Sequence, residues 1–147
     1  MTILVTGGAG FIGSHTCVEL LNAGYDIVIV DNLYNSSEKS LDRVRELTGK
    51  DFAFYPFDIR DKENMQKIFD DHKIDACIHF AGLKAVGESC SLPLRYYHNN
   101  LTGTFNLLDC MLKHGLSATE WSWDEACTAF CDRVEGVDRA YTCLHDL

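Results

Sequence analysis

The chain has few proline residues, few basic residues and no long apolar run. Two prolines in 147 residues, with no low-complexity stretch, argue against a disordered linker. The longest apolar runs are four to six residues, too short for a membrane-spanning helix. Lys and Arg number 13 against 22 Asp and Glu, a net charge of −9. Nucleic acid and anionic membranes both require basic surface, so neither is an expected partner. Met1 leads directly into "TILVTGG", which leaves no leader sequence, so the expected location is the cytoplasm. The seven cysteines are odd in number and lack paired spacing, which reads as reduced thiols rather than a disulfide framework.

What is present is a regular alternation. "TILVT" (2–6), "DIVIV" (26–30), "FAFYPF" (52–57) and "ACIHFAG" (76–82) read as strands. Between them lie helical stretches from Ile12 to Ala23, from Ser40 to Leu47 and from Asp61 to His72. Leu41, Val44 and Leu47 share a helical spacing, as do Met65, Ile68 and Phe69, and Asp61 is the expected N-cap of the third helix. Pro93 opens a long helix reaching about Lys113 and stopped by Gly115. Strands alternating with crossover helices predict an α/β fold, a doubly wound parallel sheet of about four strands with helices on both faces. No repeat of fixed period is present.

The first turn is the most informative. "LVTGGAGFIGSH" places Gly7, Gly8, Gly10 and Gly13 between a strand and a helix. Such a turn lets backbone approach a ligand closely, and the helix start offers N–H groups and a positive dipole end to a pyrophosphate. Gly8-x-Gly10-x-x-Gly13 and Gly7-x-x-Gly10-x-x-Gly13 both fit a dinucleotide fingerprint. Asp31 ends the second strand, where a carboxylate accepts hydrogen bonds from the adenosine ribose and repels a 2′-phosphate. The expected cofactor is NAD rather than NADP.

The segments "TGGAGFIGSH", "VDNLYNSS", "FDIRD", "HFAGLKAVGES" and "YYHNNLTGTFNLLDCM" together resemble the start of UDP-glucose 4-epimerase, an extended short-chain dehydrogenase/reductase. The resemblance runs from Met1 to about Gly115, and it implies an NAD-binding Rossmann domain over 1–115. It also implies an isomerase of galactose metabolism and a cofactor pocket at matching positions. Gly7, Gly10, Gly13, Phe11 and Ile12 would hold the pyrophosphate. Asp31, Asn32, Leu33, Tyr34, Asn35 and Ser36 would hold the adenosine ribose, with Asp58 and Ile59 at the adenine. Phe80, Ala81, Gly82, Leu83 and Lys84 would line the nicotinamide side, and Asn99 would complete it. Asp58 as a helix cap, Phe80 as core and Lys84 as a solvated lysine are the plainer readings. Asn99 and Asn100 fall within a helix, where asparagine needs a side-chain partner, which favours a functional part for at least one.

The resemblance further implies UDP-hexose as substrate. Hydride passes from C4 to NAD and returns to the opposite face of the rotated keto-sugar, while the tyrosine of a Tyr-x-x-x-Lys pair acts as base. None of the six tyrosines here is followed four residues on by lysine, so no catalytic residue is expected in this chain.

Residues 116–147 depart from the pattern. They hold both tryptophans, three cysteines, and seven acidic against two basic residues. One reading is a truncated product with a foreign tail, of the kind a frameshift leaves; the other is a rearranged variant with a selected C-terminus. Ser122-x-x-Glu125 resembles a capping box, and Trp123, Cys127, Phe130, Val134, Val137, Tyr141 and Leu144 recur at heptad steps interrupted by Gly136. That pattern is either an interaction helix or chance. Cys127, Cys131, Cys143 and His145 lack zinc-motif spacing, so no metal is expected.

Without a fifth strand the "ACIHF" edge is expected to be open, with low stability and aggregation as the consequence. The resemblance implies a homodimer through the long fourth helix, but the missing partner helix argues against a native-like one. The functional expectation is a truncated epimerase-type NAD-binding part without turnover. The alternatives are an inactive NAD or ADP-ribose module and a non-functional product.

Overall fold

In the computed structural model, residues 1–116 are described; the tail helix and the domain division expected beyond them lie outside those residues. Four strands form one parallel sheet: β1 (Thr2–Thr6), β2 (Asp26–Val30), β3 (Ala53–Tyr55) and β4 (Ala76–His79). Their order is β3-β2-β1-β4, so the glycine turn after β1 sits between the loops that follow β2 and β4. Leu4 faces Val28 on one neighbour and Cys77 on the other, and Thr6 faces Val30 and His79.

The strands alternate, and each face has its own core. Leu4, Val28, Val30 and Cys77 pack with Met65, Ile68 and Phe69 of α3 (Lys62–Asp71). The same face is closed by Leu107, Cys110 and Met111 of α6 (Gly103–Lys113). On the other face, Ile3, Val5, Ile27 and Ile29 meet Cys17 and Leu21 of α1 (Phe11–Asn22) and Leu41 and Val44 of α2 (Lys39–Thr48). Burial on both faces explains why the strands read as short continuous apolar runs. The predicted doubly wound architecture is therefore present. Asp61 caps α3 as predicted, accepting the Asn64 N–H at 3.2 Å.

Three expectations need correcting. Leu47, placed on the apolar face of α2, is 73% exposed; the face ends with Val44. The third and fourth strands are shorter than their apolar runs, because pairing stops at Tyr55 and His79 and the following residues turn toward the cleft. The long helix is not uniform: α5 (Pro93–Tyr97) passes through a π turn, His98–Thr102, before α6 continues. A further short helix, α4 (Val86–Ser91), precedes it and has no buried residue, so no apolar periodicity announces it. Among the described residues no helix is long and apolar enough to cross a membrane.

β4 pairs with β1 only, among the described residues, and its last side chain, His79, ties it to both β1 and α6. His79 Nδ1 lies 2.5 Å from Thr6 Oγ1, and its Nε2 lies 3.1 Å from Thr104 Oγ1 of α6. Enclosure pushes the imidazole down to about 4, and the Lys84 charge adds to the effect. The unfolded chain takes up this proton near pH 6.5 and the folded chain only near pH 4. His79 stability is therefore complete above pH 6.5 and falls as the pH drops through that window. The expected loss by pH 4 is about 2–3 kcal/mol, read as urea midpoints that shift with pH in the native chain and flatten in His79→Gln.

Candidate dinucleotide cleft

The cleft opens over the C-terminal ends of β1, β2 and β4. At Gly7 the backbone takes φ 71°, and its N–H is donated to the Val30 carbonyl at 2.7 Å, tying the turn to β2. A Cβ on Gly7 would stand 2.7 Å from Phe80 C and Ala81 N. On Gly13 it would overlap the Gly7 carbonyl oxygen and lie 2.8 Å from Gly8 Cα. Gly8 instead faces the core, where a Cβ would meet Ile29 at 2.7 Å. Gly7, Gly10 and Gly13 all line the cleft. Of the two spacings open in the sequence, Gly7-x-x-Gly10-x-x-Gly13 is the one whose glycines all line the cleft.

The Ser14 N–H makes the first bond of α1, to the Gly10 carbonyl at 2.9 Å. The N–H groups of Phe11, Ile12 and Gly13 precede it, at the positive end of a twelve-residue helix.

Asp31 is buried and locks the neighbouring loop. Its Oδ2 accepts the Ala9 N–H at 3.0 Å. Its Oδ1 accepts the Leu33 N–H at 2.9 Å and the Ser36 hydroxyl at 2.8 Å. Oδ1 thus carries two donors and Oδ2 one, leaving Oδ2 capacity for a ligand hydroxyl. Leu33 has φ 55°, a left-handed backbone that its bond to Asp31 sustains.

The cleft, about 340 Å³, falls within the size range of small-molecule pockets, about 300–1,000 Å³. Beyond the three glycines, its walls include Phe11, Ile12, Asp31, Asn32, Tyr34, Asn35, Ile59, Phe80, Ala81, Gly82, Leu83, Lys84 and Asn99. Leu33, Ser36 and Asp58 are not among the lining residues. The Asp58 carboxylate is taken by Arg60, through Nε and Nη2 at 2.8 Å each, and by Asn32 Nδ2 at 2.9 Å. These donors hold its carboxyl well below the usual carboxylate range. Phe57, Arg60, Ala85 and Arg95 also line the cleft and were not among the site residues expected from the sequence.

The asparagine pair explains the π turn. Asn100 Oδ1 accepts the Leu83 N–H at 2.8 Å, and its Nδ2 donates to the Leu83 carbonyl at 3.0 Å. Asn99 donates to the Ala81 carbonyl at 3.3 Å and to Asn100 Oδ1 at 3.0 Å. The wide turn aims two consecutive side chains at one loop, and the wall 81–84 is held by them.

At the rim, the Arg95 guanidinium lies 4.5 Å from the centre of the Tyr34 ring. Arg95 Nη1 also reaches Glu88 Oε1 at 3.3 Å, and the Tyr96 hydroxyl donates to Glu88 Oε2 at 2.7 Å.

Residues 4–129 match the family model described as GDP-mannose 4,6 dehydratase. The chain belongs to that family. Two relatives similar to it are named UDP-glucose 4-epimerase. It is 62% identical over 122 residues to UDP-glucose 4-epimerase of Bacillus subtilis (strain 168), covering 83% of this chain and 36% of that protein. With UDP-glucose 4-epimerase of Drosophila melanogaster it shares 59% over 116 residues, 75% of this chain and 33% of that one.

The UDP-glucose 4-epimerase of Bifidobacterium longum, solved in complex with NAD+ and UDP, superposes with a TM-score of 0.78 at 54% identity, over 79% of this chain and 35% of that one. The Brucella ovis enzyme, in complex with NAD, gives a TM-score of 0.69 at 37% identity, over 77% and 32%. The resemblance to the N-terminal part of UDP-glucose 4-epimerase is thus borne out, and the chain spans about a third of the length of the relatives it matches.

Proposed function

We propose that this chain binds NAD across the ends of β2, β1 and β4, as the cofactor-binding part of a UDP-glucose 4-epimerase-type protein. The observation that carries the reading is the bond from the Ala9 N–H, inside the glycine turn, to the Asp31 carboxylate, which fixes a pyrophosphate cradle and a ribose acceptor in one geometry. The residues fit the group: backbone stands where any Cβ on Gly7 or Gly13 would go, and the N–H groups of the first turn of α1 face the cleft side. Gly7, Gly10, Phe11, Ile12 and Gly13 would hold the pyrophosphate. Asp31 to Ser36 would hold the ribose, and Asp58 acts behind Asn32 and Ile59 at the adenine. The wall from Phe80 to Lys84, with Asn99, would face the nicotinamide. Bound there, NAD supplies the site with a hydride acceptor and donor.

Interconversion of UDP-glucose and UDP-galactose is the activity proposed for the whole protein, with UDP-hexose as substrate and the cytoplasm as location. This chain contains no Tyr-x-x-x-Lys, so the expected result with UDP-galactose is no conversion above background. Residues 1–115 are proposed as the binding unit, with 116–147 as a divergent tail, and a native-like homodimer is not expected.

The test is calorimetric titration of the 147-residue chain with NAD and NADP. A saturable heat with NAD, and binding of NADP weaker by about tenfold or more from 2′-phosphate repulsion at Asp31, are expected. No heat with either, together with no protection from proteolysis, favours a non-functional product. Measurable turnover of UDP-galactose overturns the proposed lack of catalysis.

A further inference from the structure

Tyr34 and Arg95 belong to opposite walls of the cleft. Tyr34 is on the loop after β2, and Arg95 is on α5, beyond β4. In the sheet those two strands flank β1, so the glycine turn lies between the walls. Two interstrand spacings, about 10 Å, separate β2 from β4. Across that gap the guanidinium and the ring meet at 4.5 Å, and both residues line the cleft.

Both partners sit at the rim. Tyr34 is 58% exposed and the Arg95 side chain 36%. Arg95 is held from behind: Glu88 of α4 engages it, and Tyr96 engages Glu88. The short α4, which buries nothing of its own, therefore positions the guanidinium. A dinucleotide lying along the ends of β2, β1 and β4 would run between the two walls that this contact joins.

We infer that Tyr34 and Arg95 form a strap over the cleft that must open for a dinucleotide to enter or leave, so that the pair sets the exchange rate. This rests on the NAD reading above. A strap differs from an ordinary binding contact in one measurable way. Losing a contact to the ligand speeds exit alone. Losing a cation from the rim slows the entry of a dianionic ligand. Losing a strap speeds entry as well as exit.

The experiment is stopped-flow fluorescence of NADH binding to and release from the full chain, native and substituted. Arg95→Met is expected to raise both rates about two- to fivefold, the shift that breaking one exposed cation–π contact produces. Tyr34→Ala, acting from the opposite wall, is expected to do the same and serves if Arg95→Met fails to fold. Entry that is unchanged or slower in both Arg95→Met and Tyr34→Ala overturns the strap and leaves the NAD reading intact. A native chain that binds no NADH overturns both.

Discussion

Gly13→Ala is expected to abolish dinucleotide binding and to destabilise the chain by about 3 kcal/mol, the upper range for forcing atoms into a packed site. The new methyl would overlap the Gly7 carbonyl oxygen and crowd Gly8 Cα, which are backbone atoms rather than the ends of flexible side chains. Relief requires α1 to move off β1. That movement separates Cys17 and Leu21 from Val5 and Ile29 and spreads the N–H groups that would face the pyrophosphate. The helix-propensity gain of alanine over glycine, about 1 kcal/mol, opposes this but is smaller. Gly87→Ala is the control, since nothing stands within 4 Å of a Cβ there. Urea midpoints and NAD titrations on both variants check the expectation. A Gly13→Ala chain with native midpoint and native affinity refutes the proposed packing.

Asp31→Ala is expected to have the second large effect. It strips acceptors from the Ala9 N–H, the Leu33 N–H and the Ser36 hydroxyl at once. Each unsatisfied group costs about 1–3 kcal/mol when buried, and the Ser36 hydroxyl is free to turn to water. A total near ~3 kcal/mol is expected, with NAD affinity falling by about 100-fold or more as the loop from Asn32 to Ser36 and the ribose acceptor are lost together. Asp31→Asn separates the two parts. It keeps one acceptor oxygen and removes the charge, so it should bind NAD weakly yet narrow the gap between NAD and NADP. Equal discrimination by the native chain and the Asp31→Asn variant would remove the carboxylate from the explanation of cofactor choice.

What the sequence made legible follows the range of the interactions concerned. The turn after β1, the acidic end of β2 and the cap at Asp61 are encoded by neighbours in sequence, and all three were readable. The choice between Gly7 and Gly8 was not, because it depends on where Ile29 and Phe80 stand. Leu47 matched the period of its helix, yet the sheet offers no surface to it. Asn100 drew notice as a misfit in a helix, but its partner, Leu83, lies 17 residues away and pairs only through the π turn. Arg60 and Arg95 look like ordinary surface arginines in sequence. Only tertiary placement brings one to Asp58 and the other to Tyr34.

The strand order has a consequence for how the chain is made. β1 is a central strand, and its two neighbours are synthesised at very different times. Roughly 50 residues separate the end of β2 from the end of β4, about 3–10 s of translation at ~5–20 residues per second. Throughout that interval one side of "TILVT" offers its amides and carbonyls to any extended strand within reach. The nascent chain therefore carries an apolar central strand with one side unpaired for seconds before its second neighbour is made.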